Sequence, residues 1–417
     1  MVRETAPLRG LAALLFLAAG CSGGSSGEPD GGTDTGTGDA DGDTDTDADG
    51  DADGDTDTDP GVLSCPGETD AGPWEWEDQP AGEDCGTGCK QTTFADEVEP
   101  IQWDVWDDRL AFVDGNRRLW LVDMVQSRQL EVPAVNPELA PYPPPIKTSF
   151  FCPSLYQTRL LHYWYTSFNV PITERQVLMD AAQMNLSVVF DGHTSNIDVY
   201  GNRYVFFGQC SESNDEEDIC LGNLSSPCSA VSILSDVYGT GSRIWENDLV
   251  WVQGDGSQSN IRSYSISLEQ FIEITSDDYY QLRPRLHDRR VVYMDLRFGD
   301  NNPLGNWNHS AVFLYDLDTQ QTTQIAGGDW IACYPDVYGD IVVWQDYRAC
   351  DDSNNVYNFS CVEIWGYNLA TQTEFQVTNL PGRAKQMPRV WGGYVYVDMV
   401  KPGGDAIYRF DLPEGAR

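Results

Sequence analysis

Acid–base or nucleophilic chemistry in this chain would have to come from four histidines and a surplus of carboxylates, 66 Asp and Glu against 25 Lys and Arg. Spacing selects none of them. Outside the Gly/Ser-rich residues 20–27 no Gly-x-Ser-x-Gly pattern occurs, and no His-Glu-x-x-His pair occurs anywhere, so the sharp-turn nucleophile on a folded strand–helix unit and the helical zinc pair are both missing. His162, His193, His287 and His309 are scattered rather than clustered. A glycoside-cleaving site needs only two carboxylates across a cleft, and many acids are present with nothing to single out a pair. Cys85-Gly-Thr-Gly-Cys89 could supply half a zinc site, but no second Cys or His pair stands at ligand spacing to complete a tetrahedron. Asp45-Thr-Asp-Ala-Asp-Gly50 has the alternating oxygens and turn glycine of a calcium loop, yet Thr56 occupies the twelfth position, where a bidentate Glu belongs. The expectation is no resident cofactor, with calcium loosely condensed on acidic chain as the residual metal chemistry, and binding in preference to catalysis.

One polar pattern does recur. Asp295-Leu-Arg297 and Asp346-Tyr-Arg348 place the same Asp-x-Arg at corresponding points of two similar segments. Side chains two apart on a strand share a face, so each pair is either an ion pair or a ligand contact, and recurrence with the repeat favours the ion pair. The segments that follow carry Trp307 and Asp351. Asp295, Arg297, Trp307, Asp346, Arg348 and Asp351 are therefore the candidate binding-loop residues.

The elements that must position them repeat along the chain. Pro335-Asp-Val-Tyr-Gly-Asp-Ile-Val-Val-Trp-Gln-Asp346 recurs in weakened form, with apolar anchors at Val105, Leu155, Val199, Ile244, Leu286, Val337 and Val390. An aromatic residue or His, a short turn and an apolar β-rich run follow each anchor. A period of roughly 42–53 residues marks units that cannot bury their apolar faces alone. Each unit reads as four short antiparallel strands, and seven of them describe an all-β, seven-bladed β-propeller. The last unit stops after a third strand, Ala406–Leu412, and Gln91–Phe94 resembles a fourth strand. An N-terminal strand completing the last blade would remove an open edge. An eighth blade built from the Cys-rich segment is the alternative. Trp106, Trp245, Trp344 and Trp391 fall on repeat strands and are expected to pack blades, as are His162 and His287. Long segments after second and fourth strands emerge on one face, where binding residues concentrate on a rigid scaffold.

Cysteine usage and the N-terminus give an address. Arg3 and Arg9 precede the apolar run 11–19, which is too short to span a bilayer and reads as a signal peptide. Between Cys21 and Cys89 there are 21 acidic residues and no Lys or Arg, so residues 21–63 are expected to form an extended tether with nothing to bury. Residues 64–89 then form a Cys-containing neck and 90–417 the propeller. The whole chain carries −41, and the part after the neck is itself acidic, which argues against nucleic acid as a partner. Of eleven Cys, ten remain beyond Cys21, an even set that in an exported chain reads as disulfides. Cys210 and Cys350 follow second strands and Cys220 and Cys361 begin third strands, so the same local bridge is expected twice.

Two resemblances extend this reading. Ala18-Ala-Gly-Cys21 resembles the lipobox of bacterial lipoproteins, although Ala18 stands where that pattern prefers Leu. It implies lipidation of Cys21, and Ser22 after it implies the outer membrane. Pro335–Asp346, followed by Glu363-Ile-Trp-Gly-Tyr-Asn-Leu-Ala-Thr-Gln and Phe375-Gln-Val-Thr378, resembles the repeats of TolB-like β-propellers over about 90–412. That resemblance implies the fold and no particular activity. The functional expectation is a monomeric, lipid-anchored envelope protein binding a protein or cell-envelope polysaccharide through its long-loop face. The alternative is a glycan-active lyase or hydrolase with its site at the channel mouth.

Overall fold

The computed structural model describes residues 74–416 apart from loop segments, the longest being 94–97, 133–146, 168–172, 211–217, 300–308 and 351–358. Cys21, the acidic tether, the Asp45 loop, Trp307 and Asp351 lie outside the described residues.

Seven antiparallel sheets make the blades: six carry four consecutive strands in meander order, and the seventh carries three with an N-terminal strand as its fourth. They span 98–131, 147–191, 194–234, 239–273, 281–327, 332–376 and 385–411. The inner strand of each blade touches that of the next, and Lys385–Trp391 closes on Val98–Trp106. Second strands such as Arg290–Asp295 and Ile341–Asp346 are almost wholly buried because adjacent blades cover both of their faces. This is why they read as unbroken apolar runs rather than as an alternation. Core clusters accordingly bridge neighbouring blades, as where Val292, Val312, Val337, Val342 and Trp344 pack together.

Two local devices recur in the inner strands. The first turn holds a residue at positive φ in each blade, for example Asp107 (55°), Gln157 (56°), Glu246 (51°) and Gly339 (57°), which is the backbone of a tight hairpin. Each pair of inner and second strands also slips register three residues before the anchor, between Leu282 and Arg285 and between Cys333 and Asp336 among others. Pro153, Pro284, Pro335 and Pro388 sit in these bulges, where no ladder N–H is required.

The closing strand is real but lies slightly earlier than Gln91–Phe94. Cys89–Gln91 pairs with Gly404–Asp411, matching Cys89 to Phe410 and Gln91 to Tyr408. After Gln91 side chains join the ladder: Thr92 donates both its N–H (2.9 Å) and its Oγ1 (2.7 Å) to the Ile407 carbonyl, and Thr93 Oγ1 accepts from Ile407 N (2.9 Å). Cys85 and Cys89 form a disulfide at the entry to this strand, so this pair is a covalent staple and not a half zinc site. Glu77–Asp78 adds a fifth strand to the first blade, and Trp76 stacks under Arg128 at 4.2 Å. Part of the neck is thus built into the propeller, without making an eighth blade.

Candidate functional site: the central channel and the long-loop rim

The register of the inner strands delivers three successive layers to the channel. The first is polar: Asp104, Ser154, Asp198, Arg243, Arg285, Asp336 and Arg389, each immediately before its blade's apolar anchor. The anchors form the second layer. The third is aromatic and sits just before the first turn: Trp106, Tyr156, Tyr200, Trp245, His287, Tyr338 and Trp391, all half-buried.

The aromatic layer is a closed circuit. Neighbouring ring centroids lie 4.5 Å apart for Trp106–Tyr156, 4.8 Å for Tyr156–Tyr200 and for Tyr200–Trp245, 4.0 Å for Trp245–His287, 4.4 Å for His287–Tyr338, 4.5 Å for Tyr338–Trp391 and 4.2 Å for Trp391–Trp106. Contacts also cross the circuit, at 5.6 Å between Trp106 and Trp245 and 6.1 Å between Trp245 and Trp391. The rings therefore plug this mouth of the channel. Trp344 does pack between blades as expected, but Trp106, Trp245 and Trp391 meet here instead. His287 accepts from Gly339 N–H at Nδ1 (3.1 Å), and burial lowers its pKa to about 4.

Below the plug, the acids tie blades together. Asp104 Oδ2 accepts from Leu155 N (2.9 Å), Asp198 Oδ2 from Ile244 N (2.8 Å) and Asp336 Oδ2 from Val390 N (2.8 Å). Ser154 Oγ takes the same role toward Val199 N (3.1 Å). Burial, followed by the nearby Asp198 charge, pushes the Asp104 carboxyl up to about 6. A second interblade ring surrounds the plug: Arg159 donates to the Gly201 carbonyl (2.7 Å) and Arg290 to that of Gly339 (2.7 Å), each at the next blade's first turn.

The plug lies on the short-turn face, because its residues precede the first turns. The outgoing ends of the second strands and the Asp-x-Arg pairs lie on the opposite face. There Arg297 forks onto Asp295 (2.9 and 2.6 Å) and Arg348 onto Asp346 (2.9 and 2.8 Å). Asp346 also accepts from the Trp344 indole (2.7 Å), the Trp330 indole (3.1 Å) and Arg348 N (2.9 Å). The guanidiniums stack on aromatic planes, Arg348 on Trp365 (4.1 Å) and Trp330 (4.7 Å), Arg297 on Phe313 (4.8 Å) and Tyr279 (5.9 Å). Phe298 and Tyr279 remain 46% and 39% exposed beside Arg297. Cys210–Cys220 and Cys350–Cys361 close the mouths of the loops between second and third strands. Cys333 is a buried free thiol among the described residues. His162 is buried in a second strand and His309 reaches the Gly328 carbonyl, so the described histidines do not converge. Among the described residues no group of three or more His, Cys, Asp or Glu is arranged to hold a metal.

The functional candidates that sequence reasoning missed are the channel arginines. Their signal was available as a polar residue preceding each anchor, but its meaning depends on blades being brought around one axis.

No family model matches the sequence, and no curated protein matches it. Solved structures do share its shape. An oligogalacturonate lyase from Vibrio parahaemolyticus superposes with a TM-score of 0.51 at 10% identity, over 82% of this chain and 98% of that one. An acylaminoacyl peptidase gives 0.48 at 11% identity over 63% of this chain, which spans only 45% of the peptidase's length. A protein described as TolB from Agrobacterium tumefaciens gives 0.38 at 12% identity, over 60% and 86% of the two chains. Identities this low speak to fold alone, and a shared propeller carries no activity with it. By sheet topology and by likeness to the lyase, this chain is a seven-bladed β-propeller of four-stranded antiparallel blades.

Proposed function

We propose that this chain is an exported, lipid-anchored binding protein of the bacterial envelope, whose long-loop face takes a protein or envelope polysaccharide without chemistry. The observation that carries the reading is the rim between the fifth and sixth blades. Arg297 and Arg348 are held in fixed orientation by carboxylate forks and ring stacking, and exposed Phe298 and Tyr279 flank Arg297. Immobilised Arg and aromatic side chains are the groups on which binding energy concentrates, because little entropy is lost when a partner arrives. The described disulfides fit an oxidising compartment. Cys21 supplies the anchor: several acyl chains on one Cys hold a protein to a bilayer far more firmly than one.

Two substitutions at exposed positions, Phe298→Ala and Tyr279→Ala, test the rim without disturbing the core. With the full chain cross-linked in isolated envelopes, the double variant is expected to lose the adducts that wild type forms. An unchanged adduct pattern removes the rim from the function. Cys21→Ser is expected to move the protein from the membrane to the soluble fraction, and retention on membranes refutes the anchor. A second reading, a glycan lyase or hydrolase in the channel, is favoured by the raised Asp104 carboxyl beside Asp198. Its mark would be depolymerisation of a uronate or neutral glycan that Asp104→Asn abolishes.

A further inference from the structure

The rim leaves the charged layer of the channel unused. Three carboxylates and three guanidiniums face one another there, yet their bonding is unequal. Asp104, Asp198 and Asp336 each commit one oxygen to a backbone N–H of the next blade, and the other Asp198 oxygen accepts from Ser154 Oγ (2.8 Å). The guanidiniums, with five N–H donors each, are under-used. Arg243 Nη1 reaches the Ser242 carbonyl (2.8 Å), Arg389 Nη1 the Pro388 carbonyl (3.1 Å), and Arg285 Nε lies 3.7 Å from Asp336 Oδ1. The Nε of Arg243 and of Arg389 are buried without any acceptor, and Arg389 is only 8% exposed. Burying a charged donor without an acceptor costs free energy that a fold does not retain without reason.

We infer that the central channel is a binding site for a small oxyanion, a carboxylate or a sulfate- or phosphate-type group, held by Arg243, Arg285 and Arg389. The cavity that these side chains line holds about 80 Å³, with Trp106, Trp245, His287 and Trp391 also lining it. That suits a small ion or a single charged group. Planar guanidinium forks match the oxygens of such groups in pairs. Burial first, then the neighbouring Arg243 and Arg389, disfavours the charge on Arg285, and a bound anion relieves both. Asp104 adds a proton linkage. It is buried beside Asp198, Arg285, Arg389 and the Leu155 N–H, and it takes up a proton near pH 6, leaving the layer with an excess of guanidinium. Anion affinity is therefore expected to rise as the pH falls from about 7.5 to about 5.5. The inference stands apart from the rim: the two sites lie on different residues, and either can fail alone.

The test is calorimetric titration of the purified full chain with sulfate and, separately, malonate, in chloride buffers of matched ionic strength. Saturable binding is expected for at least one probe, and their ranking tells a tetrahedral oxyanion from a carboxylate. Arg285→Gln should weaken that binding about tenfold or more, the loss of a charge-assisted donor pair, with Arg243→Gln as a second variant. In anion-free buffer Arg285→Gln should melt no lower than wild type, whereas an arginine kept only for structure would lower the melting temperature when removed. Absence of saturable binding of both probes, or unchanged affinity in both folded variants, overturns the inference.

Discussion

Three aspartates, Asp114, Asp295 and Asp346, end the second strands of their blades, and identical chemistry meets different neighbours. Asp295 and Asp346 receive Arg forks from two residues on, while Asp114 receives Arg118 Nε (2.8 Å) and the Trp120 indole (3.0 Å). In the seventh blade Met399 takes the corresponding place, and both oxygens of the neighbouring Asp398 are buried without a hydrogen-bond partner among the described residues. Burial, reinforced by Asp405, holds that carboxyl well above its ordinary range. The sign follows. Above the unfolded pKa the unfolded chain releases this proton while the folded chain keeps it, so the residue's cost to stability grows as pH rises and vanishes in acid. Asp398→Asn is accordingly expected to stabilise the protein at pH near 7.5 by about 1–3 kcal/mol. Urea unfolding at that pH and near pH 4 checks it, and a gain of the same size at both values contradicts the account.

Between residue and blade stands the hairpin, whose ends are fixed by these polar knots. Arg348 joins Asp346 at the end of one strand to Glu374 in the outer strand (3.0 Å) and lies against Trp365 of the strand between them. Burial opposes its charge, but the bonds to Glu374 and Asp346 outweigh it and raise the guanidinium's pKa. Arg348→Ala leaves a buried carboxylate with two indole donors and should cost about 3 kcal/mol, the scale of a broken buried pair. Equilibrium unfolding measures this, and a stability within error of wild type would return Arg348 to a purely binding role. The repeated Asp-x-Arg was legible as an ion pair because it recurred with the strands. Its aromatic sandwich was not, since Trp330 reaches it from the connection between two blades and Trp365 from a third strand.

For the whole molecule, closure is the step that no single blade can perform. The last blade borrows Cys89–Gln91, and Thr92 and Thr93 add bonds to Ile407, more than 300 residues away. A chain lacking residues 1–93 exposes the Gly404–Asp411 edge and should associate edge to edge and unfold at lower denaturant. Light scattering after size exclusion reads the first effect, and a stable monomer with an unchanged midpoint would refute closure as a requirement. Cys210–Cys220 and Cys350–Cys361 followed from aligning the repeats, because each bridge is local to one hairpin.

By itself the sequence determined what depends on near neighbours: the repeat and its strands, the tight first turns, the local disulfides and a terminal strand able to complete the last blade. Only the tertiary structure decided what depends on angle about a common axis. Trp106 and Trp245 are 139 residues apart yet stack at 5.6 Å, and Arg243, Arg285 and Arg389 converge on one cavity from three blades. Strand periodicity reports which face a side chain takes. It carries no information on which side chains of other blades share that face, because that is set by the number of blades and the closure of the ring.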